Sequence, residues 1–539
     1  MDIVFQNALI PDFDNLKFIK KNVGIKNGTI KTVSDKHIDA DKVIDADGYY
    51  LTPGMIDCHC HIESSHLIPS KFGDKIVEHG VLHVVADCHE ISNVKGRRGL
   101  EFFIQDAKNS LCNIKFAVPS CVPATNFATS GGSLDLNDIE YFLKQESVVA
   151  LGELMNVPAI INKDEKFMKM INLAKKYNKR VNGHAPHLMK EALKQYISAG
   201  VEDDHESESY KELLEKIQDG LMVFIREGSA EHTQDDAYKI IKEYPDKVSF
   251  CTDDKTIEDI SKTGSIDYNF KKAIHLGIEP ILSLKIASYN GLKYYNLDEF
   301  SEIKEGNRAY CVLFDKNFNV VETVLDGKLY KKGKTSSKIP KDFLNSINIK
   351  SDARIPQVKC KDICISVTNG SLITEKLTIE DKDKDFDVAN DILKIVNFER
   401  YGHNNSASAK IKGFGLKKGA IASSVAHDCH NILAVGTTDE SIMKVVNKII
   451  EIQGGLALYD EHEIFFLPLQ IGGIVTDSEP EVILATVEKL KEKAKNLGSS
   501  LSNPFATLSF MALEVIPYIK LTDKGLFDVA AFDYVKCKQ

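Results

Sequence analysis

The sequence predicts an α/β protein: a (β/α)8 barrel of the TIM type, a small flanking β-sandwich formed by the segments on either side of it, and a C-terminal α+β domain. Three observations carry this. Short apolar runs alternate with longer, charged, helix-like stretches between residues 51 and 280, strand-and-turn text lies on both sides of that region, and a polar, turn-rich break follows residue 330. At 539 residues the chain exceeds what one core usually organises, so two or three domains are expected.

Residues 1–50 read as short strands, with Asn27-Gly28 as a hairpin signal. Eight apolar runs follow, at 50–56, 82–87, 114–120, 148–154, 180–184, 200–205, 221–226 and 248–253. Eight strands over about 200 residues is close to the usual extent of a barrel, so 51–280 is assigned to it; an open doubly wound sheet is the alternative. A helix at 283–289 leads back into β-like text at 309–315 and 320–325, with Asp326-Gly327 as a turn, so 281–335 joins 1–50 in one composite β unit. The polar stretch 331–340 introduces a linker, set at 336–357. Beyond it, alternating segments at 358–367, 377–380, 391–397, 420–424 and 432–435, with helical periodicity at 440–453 and 480–496, give the α+β domain at 358–539.

Lys+Arg of 68 against Asp+Glu of 78 leaves a net charge of −10, and no basic stripe emerges, which disfavours nucleic acid and anionic membrane as partners. No apolar run approaches the ~20 residues that span a bilayer, and the first residues lack the pattern of a signal peptide. The eleven cysteines are odd in number and lack framework spacing. They read as reduced thiols of a cytoplasmic protein.

The chemistry starts at His59 and His61, two apart at the carboxyl end of the first barrel strand, where extended backbone projects i and i+2 to one face. An isolated His-x-His is most often a chance pair. Here Glu153, His184, His205 and Asp253 stand at the ends of the fourth, fifth, sixth and eighth predicted strands, where barrel active sites are built. Mixed imidazole and carboxylate donors suit Mn(II), Fe(II) or Zn(II), and the lack of paired thiolates argues against a structural zinc site. Glu153 can bridge two ions through its two oxygens, and such a pair ionises water at neutral pH. Asp253 would take the proton as general acid/base; Asp254 competes for that duty, but strand alternation points it away unless the chain turns there.

The order His-x-His, Glu, His, His, Asp resembles the amidohydrolase superfamily. The words PGMIDCHCHIESS (53–65), ADCHEISNV (86–94), GELMNVP (152–158), NGHAP (182–186), DHE (204–206), REGSA (226–230), CTDD (251–254) and KGFGLKKGAIASSVAHDCHN (412–431) look like those of its adenine deaminases, and together they span nearly the whole chain. The resemblance implies hydrolysis of adenine to hypoxanthine and ammonia in purine salvage, by an enzyme of manganese or iron. Cys58, Cys60 and Cys429 depart from the usual residues without displacing a ligand. Cytosine deaminase or dihydroorotase-like chemistry is the alternative within the superfamily. Glu153, where ring-opening relatives commonly carry a carboxylated lysine, tilts towards deamination. A catalytically silent scaffold is the alternative outside it, but such proteins generally lose ligands.

Glu63, Asp87, His89 and Glu90 form a second polar cluster on the loops after the first and second strands, suited to substrate contact, ligand support or an accessory metal position; as surface groups they would be unremarkable. Arg226 and Glu227 after the seventh strand could approach a purine edge or simply form a salt bridge with a helix cap. Attack at C6 also needs a donor near a ring nitrogen, for which a pocket glutamate of raised pKa would serve. His427, in a second close histidine pair, belongs either to a loop that closes the barrel mouth or to an ordinary turn. A homodimer is the expectation by base rate.

Overall fold

The computed structural model describes all residues except 334, 336, 350–353, 381–383 and 538–539, so parts of the predicted linker 336–357 lie outside the described residues. Eight parallel strands form the barrel: β1 (Met55–Cys60), β2 (Val81–Asp87), β3 (Asn113–Val118), β4 (Val148–Leu154), β5 (Arg180–Gly183), β6 (Asp203–Asp204), β7 (Met222–Arg226) and β8 (Val248–Cys251). Ladders join β1 to β5 in one run and β6 to β8 in another. At one seam Asp253 N donates to His59 O (3.0 Å) and His61 N to Asp253 O (3.1 Å). At the other, Glu202 N donates to Val181 O (3.0 Å) and the Asp203 carboxylate accepts from Gly183 N (2.8 Å). A side chain thus stands in for ladder bonds beside β6, which is only two residues long. Helices between the strands cover the outside with apolar faces, as where Phe103, Phe142, Met170 and Tyr196 are wholly buried.

The first predicted strand, 50–56, is in fact two. Tyr50–Pro53 pairs antiparallel with Cys311–Phe314 in the flanking sheet, and the barrel strand begins at Met55. Gly54 divides them where the backbone passes Leu82 so closely that an added Cβ would lie 2.5 Å from its Cβ. The two chain segments flanking the barrel do meet: Ile3–Asp12, Lys17–Lys26, Thr29–Ser34, Lys42–Asp45 and Tyr50–Pro53 join Cys311–Phe314, Val320–Leu325 and Lys328–Leu329 in one eight-stranded sheet with its own apolar core around Phe5, Ile25 and Leu313. The predicted division at 280/281 falls inside a helical run. Pro280–Leu284, Lys285–Tyr289 and Asn290–Tyr294 pack under β1 and β8, with Ser249 Oγ donating to Ile286 O (2.9 Å) and Asn290 Nδ2 to Val248 O (2.7 Å). Barrel packing therefore continues past residue 280.

In the C-terminal half an eight-stranded, mostly antiparallel sheet carries the helix Asp439–Glu451 and is flanked by Pro480–Asn496. What reads as linker is anchored: Phe343 is buried, 4.9 Å from the Phe102 ring of the barrel, and its carbonyl accepts from Gly472 N (2.9 Å). Cys360 and Cys537 form a disulfide, against the expectation of reduced thiols throughout, while nine cysteines are free and buried. Their separation of 177 residues left no spacing to read. No helix of the described residues is long and apolar enough to cross a membrane.

Candidate active site

The six residues singled out at strand ends converge at the carboxyl end of the barrel. His59 Nε2 and His61 Nε2 are 3.3 Å apart, and Asp253 Oδ1 lies 3.5 Å from the first and 3.0 Å from the second. His61 Nδ1 bonds the Asp87 carbonyl (2.8 Å), which fixes that nitrogen as the protonated one and leaves Nε2 with its lone pair aimed inward. Glu153 spans the centre. Its Oε1 is 3.5 Å from His61 Nε2, while Oε2 is 2.7 Å from His184 Nδ1 and 3.5 Å from His205 Nε2.

His59 and His205 stack with ring centroids 3.9 Å apart, and all of these side chains but His184 are buried. His205 Nδ1 is buried without a hydrogen-bond partner, and Nε2 faces only carboxylate oxygens. Four imidazoles pointed at each other and at two carboxylates, with a buried imidazole nitrogen left unpartnered, fit the donor set of a divalent cation.

Asp253 adopts a left-handed backbone conformation (φ 57°), so the chain turns at this residue and the alternation expected of Asp254 fails. Asp254 lines the same cavity as Asp253 and accepts from Ser64 Oγ. Behind them, buried Asp57 accepts from Thr252 N (3.0 Å) and Thr252 Oγ1; burial pushes its carboxyl up to about 7.

Arg226 is buried among three carboxylates: Glu206 (2.6 Å), Asp253 Oδ2 (2.7 Å) and Glu231 (2.7 Å). Burial opposes ionisation of Asp253, yet His59, His61 and Arg226 hold its carboxyl well below the usual range. Glu206, unassigned from the sequence, lies 3.1 Å from His205 Nε2 and 3.5 Å from His184 Nδ1. Glu227, by contrast, is turned away: it accepts from Tyr238 Oη (2.6 Å), Lys272 Nζ (2.6 Å) and His232 Nδ1 (3.2 Å), and does not line the cavity. Neighbouring residues leaving a strand face opposite sides, and here Arg226 took the inner one.

Of the second cluster, Asp87 accepts from Glu153 N (3.0 Å) and Glu63 from Ile91 N (3.1 Å). His89 lies between Glu153 and Glu90, Nδ1 3.5 Å from Glu153 Oε1 and Nε2 3.5 Å from Glu90 Oε1. Glu90 is gripped by the C-terminal half, one oxygen by His427 Nδ1 and the other by His430 Nε2. Burial pushes the Glu90 carboxyl up, but the two imidazoles outweigh it and hold Glu90 well below the ordinary range. Burial likewise lowers His427, and Glu90 beside it reverses this, raising it to about 9. Asp428 is lifted to about 7, by burial first and then by Glu90.

A cavity of about 120 Å³ lies over this arrangement. Its barrel side is polar, with Glu63, Glu90, Glu231, Asp253 and Asp254. Its opposite wall comes from the C-terminal half, with Val425, His427, Leu456, Phe505 and Phe510. Asp428 and His430 are the other residues that sequence reasoning left out. The HDCH word held the signal, but not its partner.

Residues 50–330 match the Amidohydrolase family, and residues 369–533 match the Adenine deaminase C-terminal domain. The chain is 38% identical to an adenine deaminase of Methanosarcina mazei over 552 residues, covering 98% of each chain. It is 40% identical to one from Sulfurovum sp. over 495 residues, covering 90% of this chain and 92% of the other. A crystal structure of an adenine deaminase aligns with a TM-score of 0.46 at 14% identity, covering 61% of this chain and 99% of that one.

Proposed function

The chain belongs to the adenine deaminases of the amidohydrolase family and hydrolyses the C–N bond that carries the 6-amino group of adenine; from that premise we propose how its residues divide the work. The family brings a divalent metal. Our reading is a binuclear centre, Mn(II) first and Fe(II) or Zn(II) as alternatives, held by His59, His61, Glu153, His184, His205 and Asp253. Metal bound there acidifies water and so supplies a nucleophile at neutral pH.

The remaining work falls to the side chains. Arg226 holds Asp253 Oδ2 at 2.7 Å, leaving Oδ1 beside His59 and His61. In this reading Asp253 takes a proton from the attacking water and passes it to the departing 6-amino nitrogen. The cavity walls limit water around the purine, which strengthens these polar contacts. A cytoplasmic location and a homodimer complete the proposal.

The observation that carries the reading is Glu153, whose two oxygens face imidazoles of opposite sides of the centre, His61 through one and His184 and His205 through the other. Metal analysis combined with an ammonia-release screen over adenine, cytosine, guanine and dihydroorotate tests it. The expected result is about two metals per chain and turnover of adenine alone; a metal-loaded protein silent on adenine would end the proposal. Asp253→Asn is expected to keep its fold while adenine turnover falls by at least a hundredfold, and near-normal turnover removes Asp253 from the role.

A further inference from the structure

One demand of the chemistry has no residue assigned above. When oxygen bonds to C6 of adenine, the C6–N1 π pair moves onto N1, and a proton must be waiting there. At the cavity floor Glu231 pairs with Arg226 and Asp254 accepts from Ser64, while Glu63 accepts from Ile91 N through one oxygen and keeps the other buried without a partner, which makes it the rival donor.

The opposite wall presents a different kind of group. His430 Nδ1 accepts from Ala426 N (3.2 Å), so its proton sits on Nε2 and is donated to one oxygen of Glu90. The other Glu90 oxygen takes the Nδ1 proton of His427. Glu90 is therefore an oriented anion, and His427 is an imidazole fixed through one nitrogen by a carboxylate, an arrangement that sets ring orientation and favours a proton on the far nitrogen. The His427 ring is further held by stacking on Phe510, centroids 4.4 Å apart and planes 19° from parallel. Its other nitrogen, Nε2, has no partner among the described residues, and His427 and Phe510 both line the cavity.

We propose that His427 is a catalytic residue supplied by the C-terminal half: its Nε2–H faces the purine and protonates N1 as water adds to C6, with Glu90 and His430 as positioning residues behind it. The proton count closes. The C6–O bond forms, N1 takes the His427 proton with the displaced π pair, and the imidazole becomes neutral. The first proton of water passes through Asp253 to the 6-amino nitrogen, which leaves as ammonia when the C6–N bond breaks. The second, on the oxygen at C6, is released as the carbonyl forms and returns to His427 through water. Hypoxanthine keeps its proton on N1. This deepens the adenine deaminase reading and rests on it.

The test compares the full-length, metal-loaded wild type with His427→Ala. Adenine turnover by the wild type is measured first, and its absence would count against the deaminase reading itself. With an active wild type, the variant is expected to keep its metal content and melting temperature, to lose at least a hundredfold in kcat, and to recover part of it when imidazole is added to fill the space beside Phe510. The wild type should also bind 1-deazaadenine, which lacks the ring nitrogen in question, more weakly than adenine, and the variant should bind both alike. His427→Asn, which keeps more contact with Phe510, gives the same comparison in a second background. A variant within threefold of wild-type kcat overturns the proposal. So does an inactive, folded variant that imidazole does not rescue and that still discriminates 1-deazaadenine as the wild type does.

Discussion

Arg226→Met is the sharpest probe of the electrostatics at the barrel mouth. The guanidinium is 2% exposed and lies within 2.7 Å of three carboxylates, of which Glu206 and Asp253 are buried and Glu231 is about a third exposed. Methionine keeps much of the volume and removes the charge. Leaving a buried ion without its partner costs about 3–5 kcal/mol, whereas the half-solvated Glu231 adds little because water screens it. For a unit the size of the barrel, about 2–4 °C of melting temperature accompanies each kcal/mol, so a fall on the order of 10 °C is expected. Thermal melts of chelator-treated protein read this without a contribution from bound metal. Arg226→Lys should recover only part, because a point charge cannot hold several carboxylates in fixed directions. Adding Glu206→Gln to Arg226→Met should restore about half the loss. A single variant melting within about 2 °C of wild type, with no gain in the double, would refute the account of a shared cation.

Two further outcomes follow from burial elsewhere. Lys520 is buried, donates to Leu372 O (2.9 Å), and burial pulls its ammonium down to about 7. The unfolded chain holds that proton up to about 10.4, so it binds more protons than the fold between pH 7 and 10.4, and the stability contribution rises with pH across that window and is least below 7. Lys520→Met should flatten this slope and stabilise the protein by a few kcal/mol at pH 6.5, measured by denaturant melts at two pH values; an unchanged slope would show that Lys520 is not buried as a base. Phe343→Ala should cost about 3–5 kcal/mol and open the segment between the halves to limited proteolysis, and cleavage kinetics equal to wild type would show that the ring anchors nothing.

How far the site could be read beforehand depended on whether one strand carried the information. His59, His61, Glu153, His184, His205 and Asp253 were legible because period-two alternation and the carboxyl ends of barrel strands place such groups without knowledge of contacts. Glu206 was missed because β6 is two residues long and the chain turns straight after His205, so alternation gives the wrong face. At Asp254 the exception to the rule applies, because the backbone turns at Asp253. Glu227 was a reasonable suspect whose charge is consumed by Lys272. The fold was legible wherever apolar periodicity was strong. Its errors lay at Gly54, where one glycine passes the chain from sheet to barrel, and at Cys360 and Cys537, where only the folded chain brings distant residues together.

The wall shared by the two halves also fixes a sequence in time. Glu90 and His427 are 337 residues apart, and all six residues assigned to the metal lie before residue 254. Synthesis runs from the N-terminus, and domains fold largely as they emerge. Until the ribosome reaches the HDCH word, the residues that hold Glu90 and wall the far side of the cavity do not yet exist in the chain.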